Sequence, residues 1–90
     1  MLSKKTQYAF QALMYLAQKE PNEPVLIAEI SKKKKIPLKF LENILLELKN
    51  AGILESKKGK GGGYYFKESP KKVKLSAVMR LLDGPIGVGP

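Results

Sequence analysis

The sequence predicts a single, mainly α-helical domain with one small β-hairpin, and three observations lead to that reading. Four segments repeat apolar residues at helical spacing, each set off by proline, glycine or a capping residue. Two runs of branched and aromatic residues, 53–57 and 64–67, flank the stretch Lys58-Gly59-Lys60-Gly61-Gly62-Gly63. The chain has 90 residues and no cysteine, the size of one small domain held by an apolar core without disulfides.

The first helix is expected over residues 3–19, with the Ser3 hydroxyl as N-cap. Phe10, Leu13, Met14 and Ala17 follow the i, i+3, i+4, i+7 pattern, while Ala9, Ala12 and Leu16 form a second stripe. An apolar sector that wide is expected to be covered on two sides, by the core and by either the last helix or a partner chain. Pro21-Asn22-Glu23-Pro24 reads as a turn, and Val25-Leu26 as one short extended pairing. A short second helix over 27–34 buries Ile27 and Ile30, although Leu26 stands where a polar cap belongs.

Ile36-Pro37 breaks the chain, and proline favours a helix start. The third helix, 38–50, carries the stripe Leu41, Ile44, Leu45 and Leu48, with Gly52 as its left-handed cap. The two strand-like runs pair across the glycine loop, and Glu68-Ser69-Pro70 ends the hairpin. A fourth helix, from 75 or 76 to 82, is expected to bury Leu75, Val78, Met79 and Leu82 before Asp83-Gly84-Pro85 stops it. The domain then spans 1–83, and 84–90 is a flexible C-terminal tail. Helix, short strand, helix, turn, helix, hairpin is the order of a winged helix-turn-helix, with the hairpin as the wing.

Composition narrows the function. No histidine and no cysteine remove the usual general base, thiolate nucleophiles and cysteine-ligated metal sites. Ser31, Ser56, Ser69 and Ser76 have no histidine to activate them, so the chain is not expected to be an enzyme. The net charge is +9. Residues 1–30 are neutral, residues 31–60 hold nine lysines against three glutamates, and the remainder is again basic. A basic excess in one segment is the footprint of a polyanion binder; it also serves solubility. The apolar run 8–17 is interrupted by Gln11 and is too short to span a membrane. With no leader and no cysteine, a cytoplasmic location is expected.

On the third helix, Lys39, Asn43, Leu46 and Asn50 point away from the core stripe, with Phe40 and Glu42 on the flanks. A recognition helix reads bases mainly from its N-terminal residues. Lys39 suits guanine, Asn43 adenine, Glu42 cytosine N4, and Phe40 a thymine methyl; the alternative is an ordinary solvated helix face. Position in a helix-turn-helix, just after the Lys32–Lys35 run, favours reading.

The glycine loop matches neither nucleotide fingerprint. Lys60 lies inside the glycines with no Ser or Thr after it, and Tyr64 stands where the last glycine of the dinucleotide motif belongs. A groove-probing wing fits better, with Lys57, Lys58 and Lys60 beside Gly61 and Gly62. Ser3, Lys4 and Lys5 either hold a phosphate at the first helix's N-terminus or are simply a capped end with solvated lysines. Tyr64, Tyr65 and Phe66 read as core and cover.

The segments Leu26-Ile27-Ala28-Glu29-Ile30, Ile36-Pro37-Leu38-Lys39-Phe40-Leu41-Glu42-Asn43-Ile44-Leu45 and Asn50-Ala51-Gly52-Ile53-Leu54 through Gly61-Gly62-Gly63-Tyr64 resemble the second helix, recognition helix and wing of the Rrf family of bacterial regulators, the group containing IscR, NsrR and CymR. Ser3-Lys4-Lys5-x-x-Tyr8-Ala9 and Leu75-Ser76-x-Val78-x-Arg80-x-x-Asp83-Gly84-Pro85 also fit. The resemblance implies a homodimeric transcription factor, usually a repressor, on a partly palindromic double-stranded operator. It implies base reading by Pro37, Lys39, Phe40 and Glu42, minor-groove entry by residues 58–62, and phosphate contacts from Ser3 and Lys5. Lys39 stands where small hydroxyl residues are common. Family members usually continue into a long dimerisation helix, many with three cysteines for an iron–sulfur cluster. This chain stops at Pro90 without them, so no cofactor is expected within it and no cluster can be bound by these residues. The rival reading is a winged-helix module that docks a protein, its lysines only solubilising.

Overall fold

A computed structural model describes residues 3–20 and 22–83; Pro21 of the expected turn and the expected tail 84–90 lie outside them. Helix α1 (Lys4–Ala17) starts at Ser3, whose side chain accepts the Thr6 amide, as the sequence predicts. The stripe Ala9, Ala12 and Leu16 enters the core whole, and of the other stripe only Leu13 does. Ala9 and Ala12 are fully buried with Leu13 and Leu16, whereas Met14 is 64% exposed and Phe10 only half-buried. Small side chains let the α1 backbone come close to its neighbours, and the wider Phe10 and Met14 are left outside that contact.

Helices α2 (Ile27–Lys34) and α3 (Leu38–Asn50) have the expected bounds. Leu41, Ile44, Leu45 and Leu48 are wholly buried and form the centre of the core with Ile30, Ile36, Leu54 and Val78. The α3 C-terminus is a Schellman turn. Gly52, at φ +83, lets its amide reach the Lys49 carbonyl at 2.9 Å and lets the Ile53 amide reach the Leu48 carbonyl at 3.0 Å.

Strands β1 (Leu54–Lys57) and β2 (Gly63–Phe66) pair antiparallel, Leu54 opposite Phe66 and Lys57 opposite Gly63. Ile53 stands just before the strand, although its carbonyl still accepts the Lys67 amide at 3.1 Å. The expected pairing at Val25 forms on β2: Val25 and Tyr64 exchange two backbone hydrogen bonds of 2.9 Å. A 3₁₀ turn at Pro70–Lys72, capped by Ser69, leads into helix α4 (Leu75–Asp83). Val78 and Leu82 are buried as expected, but Leu75 is 64% exposed because α4 meets the core only after its first turn. Three packed helices followed by the hairpin make a winged helix-turn-helix.

Candidate nucleic-acid interface

The turn between α2 and α3 decides where α3 points. Lys35 takes the left-handed conformation at φ 56, which reverses the chain in a few residues. Ser31 and Ile36 then bond reciprocally: the Ile36 amide donates to the Ser31 carbonyl at 3.0 Å, and the Ser31 hydroxyl donates to the Ile36 carbonyl at 2.5 Å. Buried Ile36 anchors this turn in the core. Pro37 is the N-cap of α3 and offers no side-chain hydrogen bond, so the first-turn amides keep their positive end open.

Two contacts lock one flank of α3 to α1. The Phe40 ring meets Tyr8 edge to face, centroids 5.4 Å apart, and Lys5 Nζ lies 2.6 Å from Glu47 Oε2. A third cluster ties α2 to the other end of α1. The Tyr15 hydroxyl donates a short hydrogen bond to Glu29, and Lys19 Nζ lies 2.9 Å from the same carboxylate. The Tyr15 hydroxyl first, then Lys19, hold the Glu29 carboxyl below its ordinary range. In return the Tyr15 phenol is pushed up, chiefly by its bond to Glu29. Lys34 Nζ stands 5.8 Å from the Tyr15 ring centroid, whereas Lys32, Lys33 and Lys35 are exposed.

The sequence-predicted residues divide into two groups. Pro37, Lys39, Glu42 and Asn43 are exposed on α3, and Lys57, Lys58, Lys60 and Gly61 on the wing. Lys39 is almost fully solvated, its Nζ 4.0 Å from Glu42 Oε1. Phe40 belongs in part to the Tyr8 contact. Ser3 and Lys5 are engaged within the chain: the Ser3 hydroxyl donates to Asp83 Oδ1 at 2.6 Å and Lys5 pairs with Glu47. Gly62 is buried rather than presented outward. A Cβ there would lie 2.2 Å from the Lys57 carbonyl oxygen, so the loop's own closure requires glycine at that position. The long-range partners Tyr8, Asp83, Glu47 and Glu29 carry no local sequence signal. The α2 lysines were visible as a charge run, and the fold places them immediately before α3.

Comparison with known proteins agrees with the winged-helix fold. The model of the Rrf2 family, described as an iron-dependent transcriptional regulator, matches residues 2–90. The chain is 38% identical over 89 residues to an rrf2-like HTH-type transcriptional regulator of Rhodobacter capsulatus, covering 96% of this chain and 59% of that protein. It is 39% identical over 84 residues to the HTH-type transcriptional regulator IscR of Cereibacter sphaeroides, covering 91% of this chain and 54% of the relative. Among solved structures, CymR, the global cysteine regulator of B. subtilis, superposes with a TM-score of 0.90 at 28% identity, covering all of this chain and 70% of that one. The chain thus spans between half and two thirds of the length of these curated relatives. They are transcriptional regulators and not enzymes.

The donors present do not fit iron or an iron–sulfur cluster. The chain has no cysteine and no histidine. Among the described residues, no group of three or more Asp or Glu side chains converges on a point that could hold a metal.

Proposed function

Because this chain belongs to the Rrf2 family of transcriptional regulators, we propose that it binds double-stranded DNA sequence-specifically, reading the major groove with α3 and the minor groove with the wing, residues 57–63. The observation that carries this reading is the division of α3 into two faces. Its stripe Leu41, Ile44, Leu45 and Leu48 is wholly buried, while Lys39, Glu42 and Asn43 stand exposed on the opposite side with donors and acceptors suited to base edges. Exposed Lys32, Lys33 and Lys35 just before α3, and Lys57, Lys58 and Lys60 on the wing, supply the phosphate contacts that dominate affinity. The uncapped start of α3 adds a favourable end for a backbone phosphate.

In this reading the protein acts in the cytoplasm, pairs as a homodimer on a partly palindromic operator, and represses by occupying it. The reading domain is 1–83, with 84–90 as its tail. No described helix is long and apolar enough to cross a membrane.

One observation favours protein docking as a second reading. An apolar groove of about 260 Å³ opens between α1 and the wing base, lined by Phe10, Leu13, Met14, Phe66, Val73 and Leu75. Selection of duplexes from a random pool at about 150 mM salt, where nonspecific binding is already weak, separates the two. Enrichment of an inverted repeat supports a sequence-reading dimer, and a single half-site a sequence-reading monomer. No enrichment by a folded sample transfers the function to protein docking.

A further inference from the structure

The exposed stripe of α3 does not end with its polar residues. Lys39, Glu42, Asn43 and Leu46 occupy i, i+3, i+4 and i+7 of one helical face, and Leu46 is 47% exposed on it. An exposed leucine is common on protein surfaces, so exposure alone says little. Position is what separates this one. It lies in register with three side chains that suit base edges, opposite the buried stripe Leu41, Ile44, Leu45 and Leu48.

The neighbouring apolar residue is already occupied. Phe40 is turned toward α1, its ring edge to face with Tyr8 at 5.4 Å, and the same flank is closed further along by the Lys5–Glu47 pair at 2.6 Å. Leu38, 45% exposed at the first position of α3, lies on the flank opposite Phe40, about a quarter-turn off the polar stripe, so the apolar side chain within the stripe itself is Leu46. The apolar group that a major groove offers is the C5 methyl of thymine.

We infer that Leu46 is a specificity residue that packs on a thymine methyl in the major groove, an assignment that rests on the DNA-reading function proposed above. Leu46 lies seven residues beyond Lys39, about 10 Å along the helix axis. That is roughly three base-pair steps, so the thymine sits two or three base pairs from the one that Lys39 contacts. Covering one methyl against leucine strengthens binding by about three- to fivefold.

The test uses the duplex recovered by selection and replaces each thymine in turn with deoxyuridine, which keeps every base-edge hydrogen bond and removes only the methyl. The unaltered protein is expected to bind three- to fivefold more weakly at one such position. Leu46→Ala binds the thymine duplex more weakly and no longer distinguishes thymine from uracil there, while Leu46→Met keeps the distinction. Leu46 is half-exposed, so the variants fold, and the deoxyuridine arm needs no variant at all. The assignment is overturned if no thymine position is sensitive, or if Leu46→Ala keeps the full penalty at every sensitive position. In both cases sequence-selective binding persists. A selection that enriches nothing instead removes the DNA-reading function and this assignment with it.

Discussion

Ser3 and Asp83, eighty positions apart, are joined by one hydroxyl: Ser3 Oγ lies 2.6 Å from Asp83 Oδ1 and also accepts the Thr6 amide at 3.1 Å. The carboxylate ends α4, where its own helix dipole disfavours negative charge, and sits at the start of α1, where the dipole favours it. Ser3 first, then Thr6, hold its carboxyl below the ordinary range. Asp83→Asn is expected to lower the melting temperature near neutral pH. An unchanged melting temperature would mean that the contact contributes nothing to folding.

The same cause sets a pH dependence. The Asp83 and Glu29 carboxyls are both depressed in the folded state. Their stabilisation is therefore fully present above the ordinary carboxylate range and is lost as the pH falls through their lowered folded values. Melting temperatures measured from pH 7 down to about pH 2 should fall more steeply for the unaltered chain than for Asp83→Asn or Glu29→Gln. Parallel curves would show that neither carboxylate is linked to folding.

Gly62→Ala places a methyl 2.2 Å from the Lys57 carbonyl oxygen and 2.9 Å from that of Gly59. The loop must open to admit it, at a cost of about 1–3 kcal/mol. Denaturant unfolding should show that loss, whereas Gly61→Ala, with no atom within 4 Å of the added Cβ but strained at φ +75, should not displace the strands. Amide exchange at Lys57 and Gly63 distinguishes the two.

Lys58→Ala should weaken binding to every duplex alike and reduce the slope of log affinity against log salt by about one. The side chain is exposed at the wing tip, so folding is unaffected. A slope identical to that of the parent would remove the wing from the phosphate contacts.

Glu42→Ala should relax preference at one base pair by about 1–3 kcal/mol. It also releases Lys39, whose Nζ lies 4.0 Å from the Glu42 carboxylate, so the two positions should be non-additive in a double-mutant cycle. Equal weakening on all sequences would remove Glu42 from base reading and leave its effect to the release of Lys39.

Helices α2 and α3 were legible because α3 carries one apolar stripe between a proline and a glycine, so its bounds and its buried face follow from period alone. On α1 two stripes adjoin, and periodicity cannot say which side chains meet the core; Ala9, Ala12, Leu13 and Leu16 do, and Met14 does not. Leu75 fits its helix's apolar pattern yet stays exposed, since a period marks a face but not how far along the helix the core extends. The 3₁₀ turn capped by Ser69 follows from a local side-chain bond that apolar patterning does not register. The engagement of Ser3, Lys5 and Phe40 depends on Asp83, Glu47 and Tyr8, partners brought near only by tertiary packing.

The two backbone bonds between Val25 and Tyr64 have a mechanical consequence. Val25 lies two residues before α2, and Tyr64 sits in the returning strand of the hairpin. Gly63 beside it leaves no slack, because a Cβ there would strike the Val25 carbonyl oxygen at 2.3 Å. The helix pair and the hairpin are thus joined at one backbone seam, which sets their spacing like the two jaws of a fixed calliper. In the DNA-reading function proposed above, a duplex engaging both jaws brings its adjacent grooves to the separation the joint sets, so helical twist and groove width would enter the sequence preference alongside base contacts.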